Sequence, residues 1–309
     1  MKRISTVIVV LACTFARAQT IDDVVRYRTE NLQGTARFQA MGGAFGALGG
    51  DLSALNVNPA GSAVFNFSEI SITGSNYHRN NDALYGGTVT NTTDNSLDFN
   101  QVGGVLVFTS SSDSPWKKLV LAFNYDLARN FDNTYFASGS TAVGVDNYFL
   151  NFAQGEPLGP LRTREGEFVE DAYLDIGANL GYSAQQAFLG FQAGIIEPVD
   201  DVDQNTDYFS NAQYGTVNQR YQQSTSGFNS KFTANFATQY KDNLYLGASL
   251  NFHNVLYERV SLLDEQGYDA DSPIQTIAFD NLLRTEGNGF SFSLGAIAKL
   301  NQTVRVGAS

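Results

Sequence analysis

The sequence has little cysteine and little charge. One cysteine in 309 residues excludes a disulfide scaffold and a zinc site built from cysteines. Charged residues make up 16%, well below the ~25% that is usual in soluble proteins. Acids exceed bases by 31 to 19, which argues against a nucleic-acid binder, because phosphates need basic partners. After residue 20 no apolar run reaches the ~20 residues of a spanning helix.

Residues 1–18 are typical of a secretory signal peptide. Met1–Arg3 is basic, Ile4–Phe15 is apolar, and Ala16-Arg17-Ala18 places small residues before a cleavage site. A lipoprotein acylation site at Cys13 is the alternative, although the residues before it fit that pattern poorly. Cleavage after residue 18 leaves a chain without cysteine, which suits an exported protein that does not depend on disulfides.

From residue 67 onward, apolar and polar side chains alternate with the period of β-strands. With weaker stretches included, the pattern gives roughly eight strands, and it is clearest in Leu119–Ala128, Phe228–Tyr240, Leu244–His253 and Phe290–Lys299. The polar faces carry Lys, Asp, Asn and Gln, which a dry core does not accommodate. We therefore expect an all-β fold, a transmembrane antiparallel β-barrel over residues 67–309, with a soluble β-protein as the alternative.

The connections between the predicted strands alternate in length. Three are short and three are long: 110–118, 241–243 and 301–302 against 78–99, 131–208 and 261–288. Short turns on one side and long loops on the other are typical of outer-membrane barrels. The sequence stops at Ser309 in mid-alternation and without a terminal aromatic residue. This predicts a C-terminally truncated barrel whose closing strands are missing.

Residues 19–66 lack the strand period and are rich in glycine. They contain the turn Asn58-Pro59-Ala60-Gly61 and the glycines Gly42, Gly43, Gly46, Gly49 and Gly50. Glycine permits positive φ and close backbone contact, Pro59 fixes a turn, and Asp51 is placed to cap a helical turn over Leu52–Leu55. A phosphate-binding loop is disfavoured because no Lys-Ser/Thr follows. The segment is either a tightly packed coil or a plug in a barrel lumen.

Three motifs in this segment resemble the N-terminal hatch of FadL/TodX-type outer-membrane transporters of hydrophobic compounds. They are Gly34-Thr35-Ala36-Arg37-Phe38, the glycine-rich stretch Met41–Asp51, and Asn58-Pro59-Ala60-Gly61. The resemblance is closest to members from Bacteroidetes-type bacteria, which are sometimes labelled hemin receptors. It implies an outer-membrane barrel with a hatch over residues 19–66, passive uptake of long-chain fatty acids or similar molecules, and lateral release gated by the hatch. The five glycines and Asn58, Pro59 and Ala60 would then shape and move the hatch.

The insertion 138–207 predicts short extracellular helices over Val145–Gln154 and Val169–Leu180, followed by an apolar stretch over Ala184–Gly194. Their candidate ligand-binding residues are Tyr148, Phe149, Phe152, Phe188 and Phe191. These side chains either pack only against one another or form a groove for a hydrophobic ligand, as the resemblance implies.

Catalytic and metal-binding patterns are weak. Asp200–Asp207 alternates acids like the start of a calcium loop, but Thr206 stands where glycine is required, so a solvated acidic loop and a divalent-ion site both stay open. His78 and His253 are the only histidines, no Gly-x-Ser-x-Gly occurs, and His253 is expected to face the lumen. We predict no enzyme and no cofactor, and we assign no residue as a metal ligand.

The expected partners follow from this interpretation. They are a hydrophobic or fatty-acid ligand and outer-membrane lipid, with no nucleic acid, and the expected state is a monomer in the outer membrane. Two other functions stay open, an accessory barrel of a protein secretion system and a general porin. The hatch-like segment disfavours the porin.

Overall fold

The computed structural model describes residues 21–29, 31–110 and 113–309. The predicted signal peptide and residues 19 and 20 lie outside the described residues. Strand accounts for about half of the structure. In the described part, no helix combines the length and the apolar character needed to cross a membrane.

The N-terminal segment, residues 21–66, is built from short helices. They are α1 (Ile21–Arg28), α2 (Ala36–Ala40) and the 3₁₀ helices η1 (Leu52–Asn56) and η2 (Pro59–Val64). The first strands follow as β1 (Glu69–Tyr85), β2 (Thr88–Thr109), β3 (Trp116–Asn130) and β4 (Asn133–Thr141). A helical insertion comes next, and the last strands are β7 (Val217–Tyr240), β8 (Leu244–Gln266), β9 (Thr276–Lys299) and β10 (Arg305–Ala308).

The strands form one antiparallel, eight-stranded sheet that curls into a half-barrel. Its order is β1-β2-β3-β7-β8-β9-β10, and β4 pairs with the first part of β7. The predicted all-β antiparallel architecture is confirmed. The number of strands in the sheet also agrees with the prediction, although β4 lies within the predicted long connection 131–208. The N-terminal segment packs on the concave face, where η2 contacts β7, β8 and β9.

The strand register places side chains of the same character next to one another across the sheet. Phe123 pairs with Ala234, Ala234 with Leu250, and Leu250 with Phe292, so one row of side chains crosses four strands on the convex face. Such rows leave large apolar side chains exposed there, including Phe236, Phe252 and Phe290. The alternate residues face inward and are buried, among them Val120, Ala122, Asn124, Asn235 and Ser249. The two faces predicted from the alternation are therefore confirmed.

Two of the predicted long loops are wrong. The strands β1 and β2 continue through 78–99 and meet at Gly86 and Gly87, which both have positive φ. Most of 261–288 is also strand, so the connection between β8 and β9 is only 267–275. Polar side chains pair across the β1–β2 hairpin, as where Asn91 Nδ2 donates to Asp82 Oδ1 at 2.7 Å. Strands that are polar on both faces lack the apolar alternation by which strands are recognised.

The third long connection folds into a compact unit, here called the lobe (residues 144–214). It contains α3 (Asp146–Ala153), η3 (Gly159–Leu161), α4 (Val169–Asn179), α5 (Tyr182–Gln192) and the two-stranded sheet of β5 (Ile196–Pro198) and β6 (Tyr208–Ser210). The two predicted helices are confirmed as α3 and α4 to within one residue at each end, and most of the predicted apolar stretch 184–194 lies in α5. Gly190 lets α5 approach α3 closely, because a Cβ there would lie 2.6 Å from Phe149 Cβ.

Candidate functional site

Side-chain caps organise the N-terminal segment. Asp51 Oδ1 accepts a hydrogen bond from Ser53 N at 2.9 Å, which caps η1 as predicted. Its second oxygen, Oδ2, accepts from Thr35 Oγ1 at 2.6 Å. Thr35 is itself the cap of α2 and accepts from Phe38 N at 3.1 Å. One buried carboxylate therefore joins the starts of two helices.

The glycine-rich stretch uses glycine for its backbone conformation. Gly42, Gly43, Gly49 and Gly50 have positive φ, between 61° and 73°. At Gly49 a side chain is also excluded by space, because a Cβ would lie 2.7 Å from the carbonyl oxygen of Gly61. The same positions that were predicted to permit positive φ therefore adopt it, except Gly46.

Asn58 attaches the N-terminal segment to the wall. Its buried Nδ2 donates to the carbonyl oxygens of Gly46 at 2.8 Å, Ala296 in β9 at 3.1 Å and Ala308 in β10 at 3.3 Å. Its Oδ1 accepts from Ala60 N at 3.0 Å, which caps η2, while Pro59 occupies the first turn. Asn58 thus links the segment to two strands.

A groove of glycines in the concave face receives this turn, here called the glycine groove (Gly247, Gly295 and Gly307). Gly247 and Gly295 pair in register on β8 and β9. A Cβ on Gly247 would lie 2.4 Å from Pro59 O, and one on Gly295 would lie 2.0 Å from Asn58 Oδ1. Gly307 meets the carbonyl oxygen of Gly46 equally closely. A side chain at Gly247 or Gly295 would displace the turn, and one at Gly307 would displace Gly46.

A lower cavity of ≈280 Å³ lies between the N-terminal segment and the wall. Its apolar lining includes Leu32, Phe38 and Leu127, and its charged lining is Asp126 and Lys231. These two charged residues are cross-strand neighbours on β3 and β7. Asp126 is buried, and its Oδ1 has no hydrogen-bond partner among the described residues. The cavity therefore combines an apolar surface with an opposite-charge pair.

An aromatic cluster lies next along the concave face. Tyr27 of α1 packs edge-on against Phe131 and Tyr257, with ring centroids 6.3 and 6.1 Å apart. The Arg26 guanidinium lies 4.4 Å above the Tyr257 ring. Asn229 Nδ2 donates to Tyr27 O at 3.3 Å and so holds α1 to β7. This cluster fills the concave face above the lower cavity.

An upper cavity of ≈390 Å³ lies between the lobe and the concave face. Tyr148 and Tyr182 line it from the lobe, and Tyr221, Arg259 and Phe279 are among the strand residues that line it. Arg259 is two residues above Tyr257 on β8, and His253, farther down, pairs with Lys231 of the lower cavity. The inward face of one strand thus passes the upper cavity, the aromatic cluster and the lower cavity in turn.

The five predicted ligand residues are divided by the structure. Tyr148 faces the upper cavity, whereas Phe149 and Phe188 are 2% and 0% exposed inside the lobe core. Phe152 stacks its ring edge-on with Tyr148 at 4.9 Å, and Phe191 packs against the lobe core. Burial and the neighbouring Tyr182 hydroxyl raise the pKa of Tyr148, so its hydroxyl stays protonated near neutral pH.

Buried carboxylates anchor the lobe above this cavity. Glu265, at the end of β8, accepts hydrogen bonds from Val145 N at 3.0 Å and from the side chains of Gln219 and Tyr268. Tyr214 OH donates to Asp146 Oδ1 at 2.6 Å. Burial, followed by this hydrogen bond, raises the pKa of Tyr214 to about 12. Sequence reasoning missed Glu265 and Arg259, because both lie at or beside the region that was predicted as loop.

The acidic loop 200–207 is held by an arginine. Arg162 pairs with Asp201 and with Asp203, the latter at 3.5 Å. Asn205 turns inward and its Oδ1 accepts from Asp200 N at 3.2 Å. Within the described ranges, no three His, Cys, Asp or Glu side chains are grouped to hold a metal ion. Arg162 therefore neutralises part of the charge of this loop, while the side chains of Asp201 and Asp203 stay exposed.

Comparison with known proteins gives one partial match. The model of an uncharacterised protein family (UPF0164) matches residues 4–81, about a quarter of the chain. The match takes in the N-terminal segment and most of β1. No curated protein and no solved structure matches the chain. The chain is thus similar to that family over its N-terminal part.

Proposed function

We propose that this protein is an outer-membrane β-barrel that takes up hydrophobic small molecules passively. The observation that carries the proposal is the pair of ligand-sized cavities on the concave face. One lies under the lobe and the other beside the N-terminal segment, which we interpret as a hatch. The upper cavity has aromatic walls with a few polar groups, which is the usual character of small-molecule sites, whereas the lower cavity has polar and apolar lining residues in equal number.

The convex face supports placement in a membrane. Its apolar segments 232–240, 244–252 and 290–298 are each about nine residues long, which matches the ~9–11 residues of a tilted spanning strand. Beyond one end the same face carries an exposed ion pair, in which Arg284 lies 3.1 Å from Glu258. At the other end Trp116 and Tyr240 stack edge-on at 4.9 Å, which suits an interfacial aromatic girdle.

The filled concave face favours transport of hydrophobic ligands over a general porin. A porin needs an open aqueous lumen, whereas Phe45, Leu52 and Asn58 of the hatch are almost completely buried. A hydrophobic ligand gains no free energy by crossing a polar channel, so lateral release through the wall into lipid is the favourable route. In the proposed order of events, the ligand is captured under the lobe, passes beside the hatch and is released laterally into the lipid.

We assign different roles to the two parts of the hatch. The turn Asn58-Pro59-Ala60 stays attached, because it is bonded to β9 and β10 and fits the glycine groove. The stretch from Gly42 to Gly50 supplies the positive-φ positions at which the chain bends when the passage opens.

Ligand binding by the full-length protein in detergent tests the proposal. The protein is titrated with a long-chain fatty acid and with a small aromatic hydrocarbon, and uptake is measured in liposomes. The variant carries Asn58→Ala and Pro59→Ala, and the control is Asn151→Ala on the exposed face of α3. We expect saturable binding and uptake that change only in the hatch variant. A folded barrel that binds neither ligand would contradict the proposal.

One observation favours a second function, an accessory role in protein secretion. The lobe exposes the large apolar side chains Phe168, Leu174 and Leu180, which could contact a protein partner. Under this alternative a Phe168→Ser, Leu174→Ser variant would impair delivery of secreted proteins to the cell surface, and the wild-type protein would take up no lipid. Normal secretion with this variant would leave uptake as the better account.

A further inference from the structure

The upper cavity is lined by the guanidinium group of Arg259, a half-buried residue of β8. Arg259 Nε is buried and has no hydrogen-bond partner among the described residues. Its cross-strand neighbours are Thr225 on β7 and Leu283 on β9, which carry no charge. A buried N–H group without a partner is costly, and an anion that lies in the cavity would satisfy both this N–H group and the charge.

The nearby acids are engaged elsewhere. Glu265 lies six residues further along β8 and already accepts hydrogen bonds from the Val145 amide, Gln219 and Tyr268. Glu258 is adjacent in sequence but points to the opposite face of the sheet, where it pairs with Arg284. The positive charge of Arg259 is therefore available to a molecule in the cavity.

The walls around this cation are aromatic. The ring centroids of Tyr148 and Phe279 are 5.5 Å apart, and Tyr221 lines the cavity from β7. Flat rings suit an aromatic ligand, because offset or edge-on stacking is favourable beyond simple area burial. Ser261 and Asn281 pair in register beside Arg259 and add uncharged hydrogen-bonding groups. A volume of ≈390 Å³ is near the lower end of the range for small-molecule sites.

We propose that the upper cavity binds an aromatic carboxylate, whose carboxylate pairs with Arg259 and whose ring packs among Tyr148, Tyr221 and Phe279. One guanidinium among uncharged groups matches a monoanion better than a phosphate, which carries more negative charge. This inference rests on the proposed uptake function and names its ligand class. It differs from the fatty-acid expectation, because the ligand must carry an aromatic ring in addition to its carboxylate.

Binding measurements on the full-length protein in non-ionic detergent test this assignment. The probes are 2-naphthoate, the neutral 2-naphthamide and the aliphatic decanoate. The variant is Arg259→Gln. The control is Arg220→Gln, which removes an equal charge from an exposed position on the neighbouring strand β7. Loss of a charge-assisted pair predicts a ~10- to 100-fold weaker Kd for 2-naphthoate in the Arg259 variant only.

The neutral probe shows whether the cavity survives the substitution. We expect Arg259→Gln to bind 2-naphthamide as the wild type does. Equal wild-type affinity for naphthoate and naphthamide, or unchanged naphthoate binding in the variant, would overturn the assignment of Arg259. Decanoate binding as tight as naphthoate binding would overturn the aromatic part.

Liposome uptake separates this inference from the function on which it rests. Arg259-dependent naphthoate binding without any uptake would refute transport and leave the site standing. Uptake of neutral hydrocarbons without naphthoate binding would refute the site and leave transport standing.

Discussion

Replacing Gly295 with alanine tests how the N-terminal segment, the proposed hatch, is attached to the sheet. A Cβ at this position would lie 2.0 Å from Asn58 Oδ1 and 2.8 Å from Pro59 Cδ, and real Cβ contacts essentially never fall below 3.0 Å. Asn58 must therefore retreat from β9 by about 1 Å. That movement lengthens its 3.1 Å hydrogen bond to Ala296 O beyond bonding distance. Overpacking of this kind costs ~1–3 kcal/mol.

Hydrogen exchange measures this cost directly. If the hatch opens locally, a loss of ~1–3 kcal/mol accelerates amide exchange of the segment 51–65 by about 5- to 150-fold. The matched control is Gly287→Ala, on the same strand and the same face, where a Cβ meets nothing within 4 Å. We expect wild-type exchange in the control. Unchanged exchange in Gly295→Ala would refute the role of the glycine groove.

Three further predictions concern the lobe and the hatch caps. Glu265→Gln places a donor against the Val145 amide or against Gln219, and we expect this clash to accelerate proteolysis of the lobe about 5- to 150-fold. The control Asp264→Asn, on the exposed face, should leave the rate of proteolysis unchanged. Burial favours the neutral phenol of Tyr214, so its contribution to stability is full below pH 10 and is lost as the pH rises through about 12. In an absorbance titration, the Tyr214→Phe variant should show one tyrosine fewer titrating near pH 12 and the same number titrating near pH 10 as the wild type. Asp51→Ala removes the cap of η1 and should cost ~0.5–2 kcal/mol in chemical denaturation, and an unchanged midpoint would contradict the capping role.

Local sequence patterns predict most of the fold. The alternation in Leu244–His253 and Phe290–Lys299 identifies both strands and assigns Gly247 and Gly295 to their polar faces. It cannot predict the glycine groove, because the groove depends on the register that places these two glycines side by side. Asp51 and Asn58 are visible as caps in the sequence, whereas the wall carbonyls that Asn58 contacts are distant in the chain.

The upper cavity is harder to predict. The sequence predicts α3 as a helix and the region of α5 as an apolar stretch, but neither pattern tells which aromatic residues face inward. Phe149 and Phe188 therefore look like ligand residues, although they form the lobe core. Arg259 lies on β8 next to the stretch predicted as loop. The sequence did contain a signal for this part of β8, because the alternation continues beyond residue 253. Its inward positions are Tyr257, Arg259, Ser261 and Leu263, and Glu258 faces outward. The polar residues in this stretch weaken the apolar alternation by which a strand is recognised in a sequence.

The position of Trp116 tests the central claim, that the convex face meets lipid while the concave face holds the hatch. Trp116 is the only tryptophan of the chain, and it lies half-exposed on the convex face against Tyr240. The protein is reconstituted into vesicles of brominated or ordinary phosphatidylcholine, and its fluorescence is compared. We predict strong quenching by lipids brominated near the headgroup and weak quenching by aqueous iodide. Equal fluorescence in both vesicles, with strong quenching by iodide, would contradict the account.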